Sequence, residues 1–145
     1  MEVVVVSSIV LMIVAAVAIS YQSFFALAHR AERVTQASLL LEEGAEALLV
    51  LRDLGWDEYI EPLALDTEYA LVWDGGAYRV ATTTPAGTYH LTVVLSEVRR
   101  NAADVVSTSG TVDPDTRRAA LTLRYAPDGT VLAEGIMLIH NAYAE

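Results

Sequence analysis

Cysteine and lysine are both absent from the 145 residues, and the first proline is Pro62. Without cysteine there is no disulfide framework, no thiol nucleophile and no cysteine-ligated zinc. It also leaves the redox compartment unread. All nine basic residues are arginines, scattered along a chain of net charge −10. Nucleic-acid binding rests largely on cations neutralising phosphates, so this balance disfavours a nucleic-acid partner. The one dense pair, Arg99–Arg100, reads as a solvated strand or loop end. Asn-x-Ser/Thr acceptors are missing too, the two asparagines being Asn101 and Asn141. Between Glu2 and Leu54 there is no proline, and the only glycine is Gly44.

What is present begins with "MEVVVVSSIVLMIVAAVAIS", a single acid before a long apolar run. Val3–Ile19 is 17 residues with only Ser7 and Ser8 polar. Ser20–Ser23 softens the run and Phe24–Ala28 resumes it. About 20 apolar residues span a bilayer as a helix, with examples down to about 17. A cleavable signal peptide fits less well: no basic segment precedes the run, and the small residues lead on into more helix. After Ala28 the pattern becomes amphipathic, with Val34, Ala37, Leu41, Ala45, Leu48 and Leu51 recurring at spacings of three and four. Arg52-Asp53-Leu54-Gly55 supplies a stop, with Gly55 expected at the left-handed position after the helix. A helix over 2–54 is about 80 Å long at about 1.5 Å per residue, so a membrane covers less than half of it.

From Trp56 onward the pattern reads as strands. Glu68–Trp73 and Ala77–Thr83 flank Asp74-Gly75-Gly76, a tight-turn signal. Thr88–Val98 sets His90, Thr92 and Val94 on one face and Leu91, Val93 and Leu95 on the other. Arg118–Tyr125 and Thr130–Ile139 flank the turn Ala126-Pro127-Asp128-Gly129. Asn101–Thr116, polar and ending in Asp-Pro-Asp-Thr, reads as a surface loop. The expected fold class is α+β: a long N-terminal helix packed on a four- or five-stranded, mainly antiparallel head. Its three parts are an apolar helix at 1–28, an amphipathic continuation at 29–55 and the β head at 56–145.

No catalytic constellation emerges. His29, His90 and His140 share no ligand spacing and read as solvated or hydrogen-bonded histidines. Asp113, Asp115 and Asp128 have the oxygens calcium prefers, but Asp-Pro-Asp and Pro-Asp-Gly are common turn sequences. No cofactor is expected, and an enzyme is not. Nine carboxylates and one arginine lie between Glu42 and Glu68. That block reads as a solvated face, or as one turned toward arginines of a neighbouring subunit.

An acid, an apolar helix, a seamless amphipathic continuation and a β head together resemble a type IV pilin or pseudopilin. "EVVVVSSIVLMIVAAVAISYQ" is similar to the N-terminal segment of that family. "LLLEEGAEALLVLRDLGW" (39–56) and "SEVRRNAADVVSTSGTVDPDTRRAALTLRY" (96–125) resemble regions of the prepilin-type, type II secretion-like subgroup, less specifically. The resemblance covers most of the chain.

It implies a structural subunit that polymerises into an extracellular helical filament, helices bundled in the core and heads forming the wall. The implied partners are further copies of the chain, the inner membrane before assembly, the pilus assembly machinery and a prepilin peptidase. The implied location is the cell surface, with a membrane-embedded pool. Glu2 is expected to pair with the N-terminal amine of an adjacent subunit, a site also tied to processing and methylation of that terminus. Such a carboxylate is tolerable in a dry bundle only when a cation neutralises it. The expected bundle surface is Val3, Val6, Ile9, Val10, Ile13, Val14, Val17, Tyr21, Phe24 and Phe25.

The sequence departs from the family in two ways. The acid is residue 2, where mature pilins usually carry it fifth, so three further residues and a leader are expected upstream. Ser20 stands where many bacterial pilins have a helix-breaking proline, which predicts a straighter helix or local melting over Ser20–Ser23. Arg30 and Arg33 follow the apolar run, which by itself would place the head in the cytoplasm. A basic leader reverses that orientation in pilins. Two other readings fit the same residues, a minor pilin or pseudopilin and a single-pass anchored surface protein. An adhesin or DNA-uptake protein would need exposed basic or aromatic features on the head, whereas Tyr69, Trp73, Tyr78 and Tyr89 read as sheet packing.

Overall fold

The computed structural model describes residues 2–143, with side-chain surroundings from Val3 onward. Helix α1 runs from Glu2 to Leu54 and passes through two compact units, one up to Gln36 and the other from Ala37 onward. In the first unit every described residue is exposed. Valine and isoleucine are β-branched and only moderate helix formers. Here they have no strand to pair with, and the helix closes its interior backbone hydrogen bonds within itself. Its hydroxyls turn inward as well. Ser7 and Ser8 donate to the carbonyls of Val3 and Val4 at 2.7 Å each. Ser20 and Ser23 donate to Ala16 and Ile19 at 2.9 and 3.0 Å. The helix stays continuous through Ser20–Ser23, where melting was one expectation.

In the second unit the amphipathic half of α1 packs on a six-stranded antiparallel sheet. Short helix α2 (Trp56–Tyr59) follows α1 directly. Gly55 between them is extended rather than left-handed, and still donates its N–H to the Leu51 carbonyl. The strands are β1 (Glu68–Trp73), β2 (Tyr78–Ala81), β3 (Tyr89–Arg100), β4 (Val106–Ser107), β5 (Thr111–Tyr125) and β6 (Thr130–His140). Their order is β2-β1-β3-β5-β6, with β4 paired to the end of β3.

Alternation decides what faces the helix. Leu91, Val93 and Leu95 of β3 stand opposite Leu123, Leu121 and Ala119 of β5, and the opposite face carries His90, Thr92 and Val94. Leu48, Leu51, Ile60, Val93, Leu95, Leu121 and Ile139 form the dry centre. Val34 belongs to the first unit and is exposed, so the buried stripe begins at Ala37. Gly44 has a packing reason. A Cβ there would collide with the end of the Leu91 side chain and lie 3.3 Å from Leu121, so glycine lets helix and sheet approach closely.

The segment expected to be one surface loop is partly sheet. Val106–Ser107 pairs with Arg99–Arg100, and β5 already begins at Thr111. Pro114 misled the reading because proline cannot donate to a ladder. It sits in a bulge: the β3–β5 register jumps from Glu97↔Arg117 to Val98↔Asp113, leaving 114–116 without β3 partners. Beyond that jump Val98, not Glu97, is the buried residue.

Candidate assembly surface

Residues 3–27 of α1 form an extended exposed apolar surface. Val3, Val6, Ile9, Val10, Ile13, Val14, Val17, Tyr21, Phe24 and Phe25 are all exposed, the least being Phe25 at 44%. At about 100° per residue they lie within one side of the helix, roughly 160° wide. Exposure does not single out that side. Val4, Leu11, Met12 and Ile19, which point elsewhere, are exposed to a similar degree. Apolar side chains all round a helix are the mark of a segment surrounded by lipid or by other helices. None of its apolar window is buried within the chain, and the helix is long and apolar enough to cross a membrane. Its polar atoms suit that setting, because each serine hydroxyl already donates to a carbonyl four residues back.

The far end of this surface is aromatic, then charged. Tyr21 and Phe25 meet edge-on with centroids 4.6 Å apart, and Phe24 stands 6.3 Å from Phe25. His29 follows, 3.7 Å from the Glu32 carboxylate, with Arg30 and Arg33 nearby in sequence. An aromatic girdle ending in arginines fits a membrane–water boundary. The side chain of Glu2 and residue Met1 lie outside the described residues, so the expected carboxylate–amine contact has no geometry here.

The head holds one dense polar cluster, which sequence reasoning did not find. The Arg100 guanidinium donates to Asp113 Oδ2 at 2.6 Å and to the Asp104 carbonyl at 3.0 Å. Thr116, nearly fully buried, donates to the same Asp113 oxygen at 2.7 Å. Its single proton is then committed, so Thr116 Oγ1 accepts from His140 Nδ1 at 3.0 Å. Arg100, and after it Thr116, hold the Asp113 carboxyl below its usual range, and Asp113 in turn raises Arg100. Arg100, Asp104, Asp113 and His140, with Asn101, Gly110 and Thr111, line an open cleft of about 670 Å³. One guanidinium faces both carboxylates of the cleft, and its bond to the Asp104 carbonyl ties that loop to the sheet.

The aspartates weighed for calcium do not converge. Asp113 serves Arg100 and Thr116, while Asp128 accepts from the Thr130 N–H in the β5–β6 turn. Among the described residues, no group of three or more histidines and carboxylates is placed to hold a metal ion.

Two further surfaces stand out on the head. Ile136 and Leu138 are exposed on the sheet face away from α1, at 64% and 49%. The sequence signal for them is "GIMLIH", a run apolar at both parities, which a strand covered on one face does not need. Trp73 is 56% exposed beside Tyr78, their ring centroids 5.0 Å apart. Sequence reasoning placed Tyr69, Trp73, Tyr78 and Tyr89 in sheet packing. Tyr69 is buried there, its hydroxyl accepting from the Ala64 N–H at 2.9 Å. Trp73 is not.

No family model, curated protein or solved structure matches the chain. The chain is therefore described by its architecture, an α+β protein whose long N-terminal helix is bare and apolar in its first part and packed on an antiparallel sheet in its second.

Proposed function

We propose that this protein is a structural subunit of a type IV pilus-like filament, polymerising through its N-terminal helix. The observation that carries the reading is the continuity of α1. One helix passes from a fully exposed apolar half into a half that forms the head's core, with neither proline nor glycine before Gly44. A simple anchor needs no such coupling and commonly has a flexible linker before its head. A subunit that must transmit position from a helical bundle to a surface head needs a stiff one.

In this reading the apolar helix sits in the inner membrane before assembly and among the helices of other copies afterwards. The head forms part of the outer wall at the cell surface. Glu2 meets the N-terminal amine of a neighbour, assembly machinery and a prepilin peptidase act on the chain, and interfaces take the place of an active site and its cofactors. A pseudopilin or minor pilin shares the helix and differs in abundance and in partners.

The test is to shear intact cells, pellet released filaments and identify the main protein and its N-terminal peptide by mass spectrometry. The expected result is this chain as a dominant component, with Glu2→Ala reducing the pelleted amount while the head stays folded. Equal filament yield from Glu2→Ala and parent would remove that role from Glu2. Retention of the chain in the membrane fraction would move the anchored-protein or pseudopilin reading ahead.

A further inference from the structure

The exposed Trp73 belongs to a built recess. Leu71 and Leu91 of the sheet, with Leu40 of α1, give it an apolar floor, and Trp73, Tyr78 and Tyr89 supply three aromatic rings, in a cavity of about 350 Å³. One carboxylate stands in its wall. Glu43 Oε1 accepts a short hydrogen bond from the Tyr78 hydroxyl, and among the described residues Oε2 has no bond. Burial, and after it Glu43, push the Tyr78 pKa up to about 12, so that hydroxyl stays a donor and Glu43 stays anchored. Aromatic faces beside a fixed carboxylate attract a cation with a flat or apolar body, because ring quadrupoles and the charge act in the same direction. An anion is repelled by the Glu43 carboxylate, and a small hydrated metal ion finds one carboxylate where it needs several oxygens.

We propose that this recess is a binding site for a guanidinium group, and that its occupant is an arginine presented by a second copy of the chain. Charge and composition select that occupant. All nine Lys/Arg positions of the protein are arginine, whereas Glu43 in the recess wall belongs to an acidic run in sequence, Glu42, Glu43 and Glu46. Arg118 and Arg124 stand exposed on β5, on the sheet face away from α1, and form no ion pair among the described residues. The chain already uses this pairing within itself, the Arg117 guanidinium lying 5.9 Å over the Trp56 ring. The choice of a second copy rests on the filament reading, whereas binding of the guanidinium group itself does not.

The full chain in detergent micelles provides the test. Trp56 is buried, so a fluorescence change on adding a solute reports chiefly on Trp73. Ethylguanidinium at millimolar concentrations is expected to give a saturable change, and the neutral isostere ethylurea none. Glu43→Gln and Tyr78→Leu, both on the partly open rim, should each weaken binding at least about fivefold without altering the circular dichroism. A response that does not saturate, that ethylurea reproduces, or that Glu43→Gln leaves unchanged overturns the site. The occupant is read by sedimentation of the same micelles at rising protein concentration. Oligomers dispersed by ethylguanidinium, and missing from the Arg118→Gln/Arg124→Gln double variant, assign it to a second copy. Oligomers indifferent to both, or no oligomers at all, overturn that assignment while leaving guanidinium binding and the cell-shearing result to stand or fall separately.

Discussion

The two parts of α1 are one unbroken helix with opposite surroundings. Over 37–54 the helix buries Ala37, Ala47, Leu48 and Leu51 against the sheet, and its acids face outward. Over 3–27 it buries nothing, although its side chains are more apolar. Helix formation is thus not what separates them, since both satisfy their backbone internally. The difference is whether the partner for the apolar surface is supplied by the same chain. Where it is, hydrophobic burial at about 25 cal/mol per Å² stabilises the head. Where it is not, the same term becomes a driving force for insertion or association.

Four substitutions would break or sharpen that contrast. The largest expected effect is Leu48→Ala, in the dry centre of the head, which should lower stability by about 2–5 kcal/mol through lost contacts and a cavity. Chemical denaturation followed by circular dichroism measures it, and Val14→Ala is the control with no change in the head transition. Ile13→Lys should do the reverse: it costs about 2.5–3.5 kcal/mol at a bilayer centre and nothing in the head. Carbonate extraction of membranes should move this variant toward the soluble fraction. A head transition shifted by Ile13→Lys would break the separation of the two halves.

Gly110→Ala tests the sheet end. Gly110 has φ +136°, and a Cβ there would lie 2.7 Å from the Arg100 carbonyl carbon, backbone that cannot swing away. A loss of about 1–3 kcal/mol is expected, visible as a lower denaturation midpoint. The smallest effect is acid dependence through Asp113. Its carboxyl lies below the usual range because of Arg100 and Thr116, so its contribution is present above the unfolded value of about 3.9 and is lost as pH falls from there through the folded value. The stability gap between parent and Asp113→Asn should therefore be full at neutral pH and narrow below about pH 4. A gap unchanged in acid would show that Asp113 contributes by shape alone.

Much of the fold was legible because each signal was local. An uninterrupted apolar run, the three-and-four spacing from Ala37 to Leu51, and Gly-containing turns between alternating segments define α1, β1 and the β5–β6 hairpin without knowledge of neighbours. Where reading failed, a distant residue decided. Pro114 reads as a loop until the β3–β5 bulge removes the need for its N–H. Val34 fits the helical stripe but lies before the buried stretch begins. Trp73 looks like sheet packing until Glu43, thirty positions earlier, turns out to stand beside it. The ten expected bundle residues followed from the family resemblance, and the structure places all of them on an exposed helix without preferring their side over the other.

By itself, then, the sequence determined the long helix, its division into a bare and a packed half, and the antiparallel head. Those follow from covalent neighbours, through side-chain periodicity, hydrogen bonding four residues back, and turn chemistry. Only the tertiary structure decided that Arg100, Asp113, Thr116 and His140 form one network, that Gly44 is a point of close approach, and that Trp73, Tyr78, Tyr89 and Glu43 share a recess. Such groupings depend on strand register and on the face each residue presents, and a shift of one position would send every side chain of a strand to the other side.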